Sequence, residues 1–243
     1  MPRLPALQSQ RVSELAENMS RYHACFFKHV DLTSMNAGAT DPYFEILKVC
    51  KQNGSASKTV DDDNFFYWLE KTLKAWQMNR GREGGSLATR GEMKRSLRSP
   101  EIREAIKQVE QLSLANLAVI EPTNFQHIKR IMWGIRVTTA ASKIVANSKT
   151  LHFLMPDLCP PIDRRYTLKF FFNRDISPDN QEDAFDVVYK QFHQITIQSS
   201  SHLKRLVHSH RFATSEAKVI DNAIIGYCLE TGLVKNTGKR SHA

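Results

Sequence analysis

The sequence predicts an all-α protein. Apolar residues recur every three or four positions over most of the chain, and several of those runs open on helix-starting signals. Alternating apolar and polar stretches, the mark of half-buried strands, are scarce. The expected architecture is one globular helical domain over residues 1–243 with room for two lobes, since that length suffices for either.

Val12, Leu15, Met19, Tyr22 and Phe26 step by three and four and predict one long first helix. Residues 32–41 and 52–60, rich in Ser, Thr, Gly and Asn, read as loops. Asp61, Asp62 and Asp63 suit a helix N-terminus, and Phe65, Leu69, Leu73 and Trp76 line the helix that follows. Residues 79–90 read as a flexible basic loop, glycine-rich at its start. Its Arg80 and Arg82 can clamp a phosphate backbone, or the segment simply connects two helices. Ser99-Pro100-Glu101 reads as N-cap, first-turn proline and first-turn acid, ahead of Ile102, Ile106, Val109 and Leu112. Phe185, Val188, Phe192 and Ile195 mark another helix. Val219, Ile220, Ala223, Ile224 and Tyr227 mark the last, with Gly232 as its C′ residue and a frayed tail from Lys235.

A hydrophobic fraction of 41% with 24% charged residues is ordinary for a folded globular chain. No apolar run approaches the roughly 20 residues that span a bilayer, and MPRLPALQSQR lacks a signal peptide's apolar stretch. The expected location is cytoplasmic and nucleoid-associated, or nuclear. Cys25, Cys50, Cys159 and Cys228 lie far apart without a CxxC pair, so they read as reduced core residues rather than metal ligands. His202, His208 and His210 lack carboxylates or cysteines at ligand spacing and, with Lys204, Arg205 and Arg211, read as a basic patch. No P-loop, GxSxG or HExxH motif occurs, which disfavours nucleotide hydrolases, serine hydrolases and zincins. No metal, cofactor or membrane partner is expected. The formal net charge of +9 points to a polyanionic partner.

The most informative segment is 133–172, WGIRVTTAASKIVANSKTLHFLMPDLCPPIDRRYTLKFFF. Thr138 or Thr139 can cap a short helix containing Ala140, Ala141, Ile144 and Val145, and Lys149–Met155 reads as a second helical piece. Pro156, Pro160 and Pro161 then break the path. Asp163 follows at an N-cap position with Arg164, Arg165 and Tyr166 in the next first turn; the arginines suit phosphate, or an internal acid such as Asp157 or Asp221.

This arrangement resembles the helix–hairpin–helix DNA glycosylase superfamily. SKIVANS looks like the helix after that family's hairpin, and PPIDRRY looks like its aspartate turn. Lys143 and Asp163 lie 20 residues apart, close to the family's lysine and aspartate. An LPGVG-type turn is absent: Arg136–Ala140 stands in its place, and no glycine occurs between Gly134 and Gly226. The resemblance implies removal of a damaged or modified base from double-stranded DNA. Lys143 would be the amine that attacks the sugar C1′, and Asp163 the carboxylate that stabilises the developing positive charge. Thr138, Thr139, Lys149, Arg164, Arg165, Tyr166, Arg80 and Arg82 would contact DNA. Two alternatives stand beside it: a non-catalytic DNA-binding module using the 79–95 region, Arg164, Arg165 and His202–Arg211, and a helical protein-interaction domain.

Overall fold

The computed structural model describes residues 6–30, 41–76, 78, 86–174 and 176–235, with side chains from residue 9 onward. The described residues are all-α. In chain order the helices are α1 (Ala6–Glu17), α2 (Met19–His29), α3 (Pro42–Asn53), α4 (Ala56–Thr59), α5 (Asp63–Ala75), α6 (Arg90–Leu97) and α7 (Pro100–Val109). They continue with α8 (Pro122–Gly134), α9 (Ile144–Leu154), α10 (Lys169–Phe172), α11 (Gln181–Gln198), α12 (Ser200–Leu206) and α13 (Glu216–Glu230). No strand occurs among the described residues, only an isolated antiparallel bridge between Leu87 and Thr138. None of these helices is long and apolar enough to cross a membrane.

The chain divides into two compact units: Met1–Ala37 with Pro160–Ala243, and Gly38–Cys159. The expected long first helix is broken at Asn18, whose φ of −111° and ψ of 27° interrupt α1 and α2. The apolar face nevertheless runs through, with Val12, Leu15, Met19, Tyr22 and Phe26 all buried.

In the first unit, α2 and α13 pack most closely. A Cβ on Gly226 would lie 1.9 Å from the Tyr22 carbonyl oxygen, so the two backbones meet at this glycine. A mid-helix glycine costs about 0.5–1 kcal/mol against alanine, and close packing offsets that cost here. Around the crossing, the Tyr22 and Tyr227 rings meet edge to face at 4.9 Å, and both hydroxyls donate to the Glu14 carboxylate, at 2.5 and 3.3 Å. As expected, Gly232 follows α13 in the left-handed conformation (φ +70°).

In the second unit, α9 is the central helix, buried on every side from Ala146 to Leu154. Several of its polar residues bond to nearby backbone. Asn147 Nδ2 donates to Met132 O (2.8 Å) at the end of α8, and Thr150 donates to Ala146 O. His152 Nδ1 donates to Cys159 O at 2.9 Å. Short polar residues start the surrounding helices. Asp41 caps α3, Asp62 caps α5, and Thr89 with Glu92 forms a reciprocal capping box on α6. Ser99 occupies the N-cap position of α7 without making the side-chain bond.

The expected loop at 52–60 is instead the end of α3, a left-handed Gly54 and the single turn α4 capped by Ser55. Its small polar residues serve as caps, so their composition misreads as a loop.

Gly226→Ala forces a methyl into the Tyr22 backbone. It is expected to lower stability by about 1–3 kcal/mol or more, as overpacking does, read as a fall in the urea midpoint. A midpoint equal to wild type would show that the helices separate at no cost.

Candidate functional site

Segment 133–172 begins in the second unit and ends in the first, because the boundary falls between Cys159 and Pro160. Lys143 therefore belongs to one unit and Asp163 to the other. Each is described in its own surroundings.

The two expected helical pieces around Lys143 form the one helix α9, which starts at Ile144 with Lys143 itself at the N-cap position. Thr138 and Thr139 do not cap it. The Thr138 hydroxyl accepts the Ala140 amide (3.1 Å) and donates to Ser86 O (3.0 Å), closing a turn that precedes the helix. Thr139 Oγ1 accepts from Ser86 N–H at 2.9 Å, and backbone bonds Ala88 N–H to Val137 O and Thr139 N–H to Ser86 O complete the pairing. Both threonines thus anchor the end of the 79–90 stretch. Residues 86–90 are held by this bridge and by the Thr89 cap, whereas Arg80 and Arg82 lie outside the described residues.

Lys143 is half-buried. Lys149, expected on a DNA-facing surface, is instead 9% exposed, with Nζ 4.8 Å from the centroid of the Trp76 ring. Trp76 also packs on Phe153 (5.2 Å) and Tyr43 (5.6 Å), so this lysine belongs to an aromatic cluster. Periodicity could not reveal this, because a central helix has no exposed face on which to place its cation.

Asp163 sits where the sequence puts it. Its Oδ1 accepts the Arg165 amide at 2.7 Å and the Tyr166 amide at 3.0 Å. The turn it caps, Arg164–Leu168, is π-helical, closed by Leu168 N–H to Asp163 O (2.9 Å), and it leads into α10. Such turns recur at functional sites. Arg164 and Arg165 are exposed; Arg165 donates to Lys235 O at 2.8 Å and stacks over Tyr166. Tyr166 is half-buried, and burial pushes its hydroxyl pKa up. Asp221 takes Lys218 as its partner (2.5 Å), one turn away on α13 and likewise shielded.

Two stretches of the sequence carry only positive charge. Pro122–Pro156 contains no Asp or Glu but holds Lys129, Arg130, Arg136, Lys143 and Lys149. Val187–Ser215 likewise has no acid and holds Lys190, Lys204, Arg205 and Arg211 with four histidines. Scanning for acid-free windows shows how far each basic region extends. A further contact invisible to spacing joins Ser20 of α2 to His202 of α12, with Ser20 Oγ 3.1 Å and Arg205 Nη2 3.3 Å from the same His202 Nδ1.

The first unit also has a half-open cavity of about 290 Å³ beside Gln10, Arg11, Glu14, Tyr227 and Thr231. Glu14 there accepts the two tyrosine hydroxyls, and Arg11 donates to Phe170 O at 3.2 Å. The cysteines make no disulfides, and burial pushes the Cys50 and Cys228 thiols up to about 12, far from the reactive thiolate range. Among the described residues, no three His, Cys, Asp or Glu side chains converge as a metal site would require. No family model, curated protein or solved structure matches the chain.

His23 is buried in the first unit beside Phe27, and its Nε2 has no hydrogen-bond partner. Burial first, then the charges of His210 and Lys218, push its pKa from 6.5 down to about 4. Between those values the unfolded chain binds a proton that the folded one refuses, so stability falls as pH drops from 6.5 to about 4. His210, lowered mainly by burial, adds the same sign. His23→Phe is expected to flatten most of this slope in urea midpoints measured between pH 7 and 4.5. An unchanged slope would move its origin elsewhere.

Proposed function

We propose that this is a DNA-binding protein of the base-excision glycosylase type, acting on a damaged or modified base in duplex DNA. The observation carrying this reading is the Asp163 turn. Exposed Arg164 and Arg165 directly follow Asp163, in the turn reached after Pro160, Pro161 and Ile162. The chain reaches that turn from an acid-free stretch that supplies Lys143. Lysine and arginine side chains attract phosphate backbones by releasing counterions.

In this reading the C1′–N bond breaks and its electron pair leaves with the base, which takes a proton from solvent. The Lys143 amine forms the new C1′–N bond and releases a proton to solvent. Asp163 also stabilises the oxocarbenium charge that develops at C1′. Sugar ring opening then yields a Schiff base. A second reading, a non-catalytic DNA-binding module, is favoured by the two amide bonds already made by Asp163 Oδ1 and by the internal bonds of Thr138 and Thr139.

Duplexes carrying 8-oxoguanine, uracil or an abasic site, incubated with the protein and borohydride, separate the two. The glycosylase reading expects a trapped covalent adduct that disappears in Lys143→Gln. Asparagine caps helices as well as aspartate does, so Asp163→Asn should keep wild-type stability and DNA affinity while losing adduct formation. Asp163→Ala should lose about 0.5–2 kcal/mol of stability as well. Salt-sensitive DNA affinity without any adduct selects the non-catalytic module. Absence of salt-sensitive DNA affinity overturns both.

A further inference from the structure

Two turns of α2 are flanked by residues that the Asp163 turn does not use. Ser20 meets His202, and Phe27 packs against His210 with ring centroids 4.0 Å apart. Seven residues of helix separate these contacts, about 10 Å at 1.5 Å per residue. That is roughly three nucleotide steps of one DNA strand at about 3.4 Å each. Along this edge lie Lys204, Arg205, His208, His210 and Arg211, all exposed. Their parent stretch, Val187–Ser215, contains no carboxylate.

Ser20 Oγ and Arg205 Nη2 both lie within hydrogen-bond distance of His202 Nδ1, which ties α12 to α2 and holds Arg205 on this edge. Guanidinium groups held in this way suit the oxygens of a phosphodiester. The adjoining loop is built tightly. His208 holds φ +63°, unusual for a residue with a side chain, and its amide donates to Ala213 O at 2.7 Å. The Arg211 guanidinium lies 4.9 Å over the Phe212 ring, which is itself buried.

We propose that this edge of α2, α12 and the 207–213 loop is a second phosphate-backbone contact for duplex DNA, with Lys204, Arg205 and Arg211 as charge contacts. It rests on the DNA-binding reading above and extends it to a surface in the first unit that is separate from the Pro122–Pro156 stretch.

The test is the salt dependence of binding to a short duplex of arbitrary sequence, using the full-length chain. Each phosphate contact removed lowers the log–log salt slope by about one. Lys204→Gln/Arg205→Gln/Arg211→Gln is therefore expected to lower the slope by about three, with an unchanged thermal melting temperature. Should that triple variant misfold, Lys204→Gln alone, on the exposed last turn of α12, is expected to lower it by about one. Wild-type slope and affinity in the folded variant overturn this surface and leave the DNA-binding reading standing. A wild-type protein that shows no salt-dependent affinity for the duplex overturns both.

Discussion

The contact between Gly226 and the Tyr22 carbonyl sets how close α2 and α13 come, and much of the first unit depends on that distance. With the backbones touching, Tyr22 and Tyr227 fall into edge contact and share Glu14. The same closeness traps His23 beside Phe27 within reach of the Lys218 charge. A larger residue at 226 would open the crossing and hydrate these groups together. Burying a carboxylate's partners, an imidazole and an ion pair in one seam is costly unless the geometry is fixed. A glycine fixes it with no side chain to adjust.

The second unit solves a related problem differently. Its central helix, α9, buries Asn147, Ser148, Lys149, Thr150 and His152, residues normally found at the surface. Hydroxyls fold back onto carbonyls of their own helix, Asn147 closes the end of α8, and Lys149 rests on an indole face. These contacts are local or reach a neighbouring element. Lys143 stands at the N-cap position of α9, whereas Lys149 packs on Trp76.

Helical spacing and capping chemistry made much of this fold legible in the sequence. Asp62, Asp163 and Gly232 stand where the residue types placed them, because caps depend on one side chain and the nearest amides or on one permitted φ. The failures have a common cause. Thr138 has two ways to use its hydroxyl, and pairing with Ser86, fifty-two residues earlier, decided between them. Whether Lys149 faced solvent depended on Trp76 and on burial from all sides, neither of which is a property of its own neighbourhood in sequence. The π-helical form of the Asp163 turn is likewise set by one i+5 backbone bond that no residue pattern specifies.

The positive charge of the chain is unevenly spent. Around α5 to α7 the cations meet acids: Lys74 and Arg90 on Glu70, Lys94 and Arg98 on Asp63, Arg103 on Asp61, and Arg136 reaching back to Glu92. Exposed pairs of this kind contribute only about 0–1 kcal/mol each to stability. Their larger effect is on the field, since a cation beside a carboxylate presents little net charge to an approaching polyanion. Two stretches of sequence carry no acid at all, one in each unit. A surplus of +9 spread evenly would be a solubility property. Gathered in stretches that lack acids, the same charge raises the local positive potential instead.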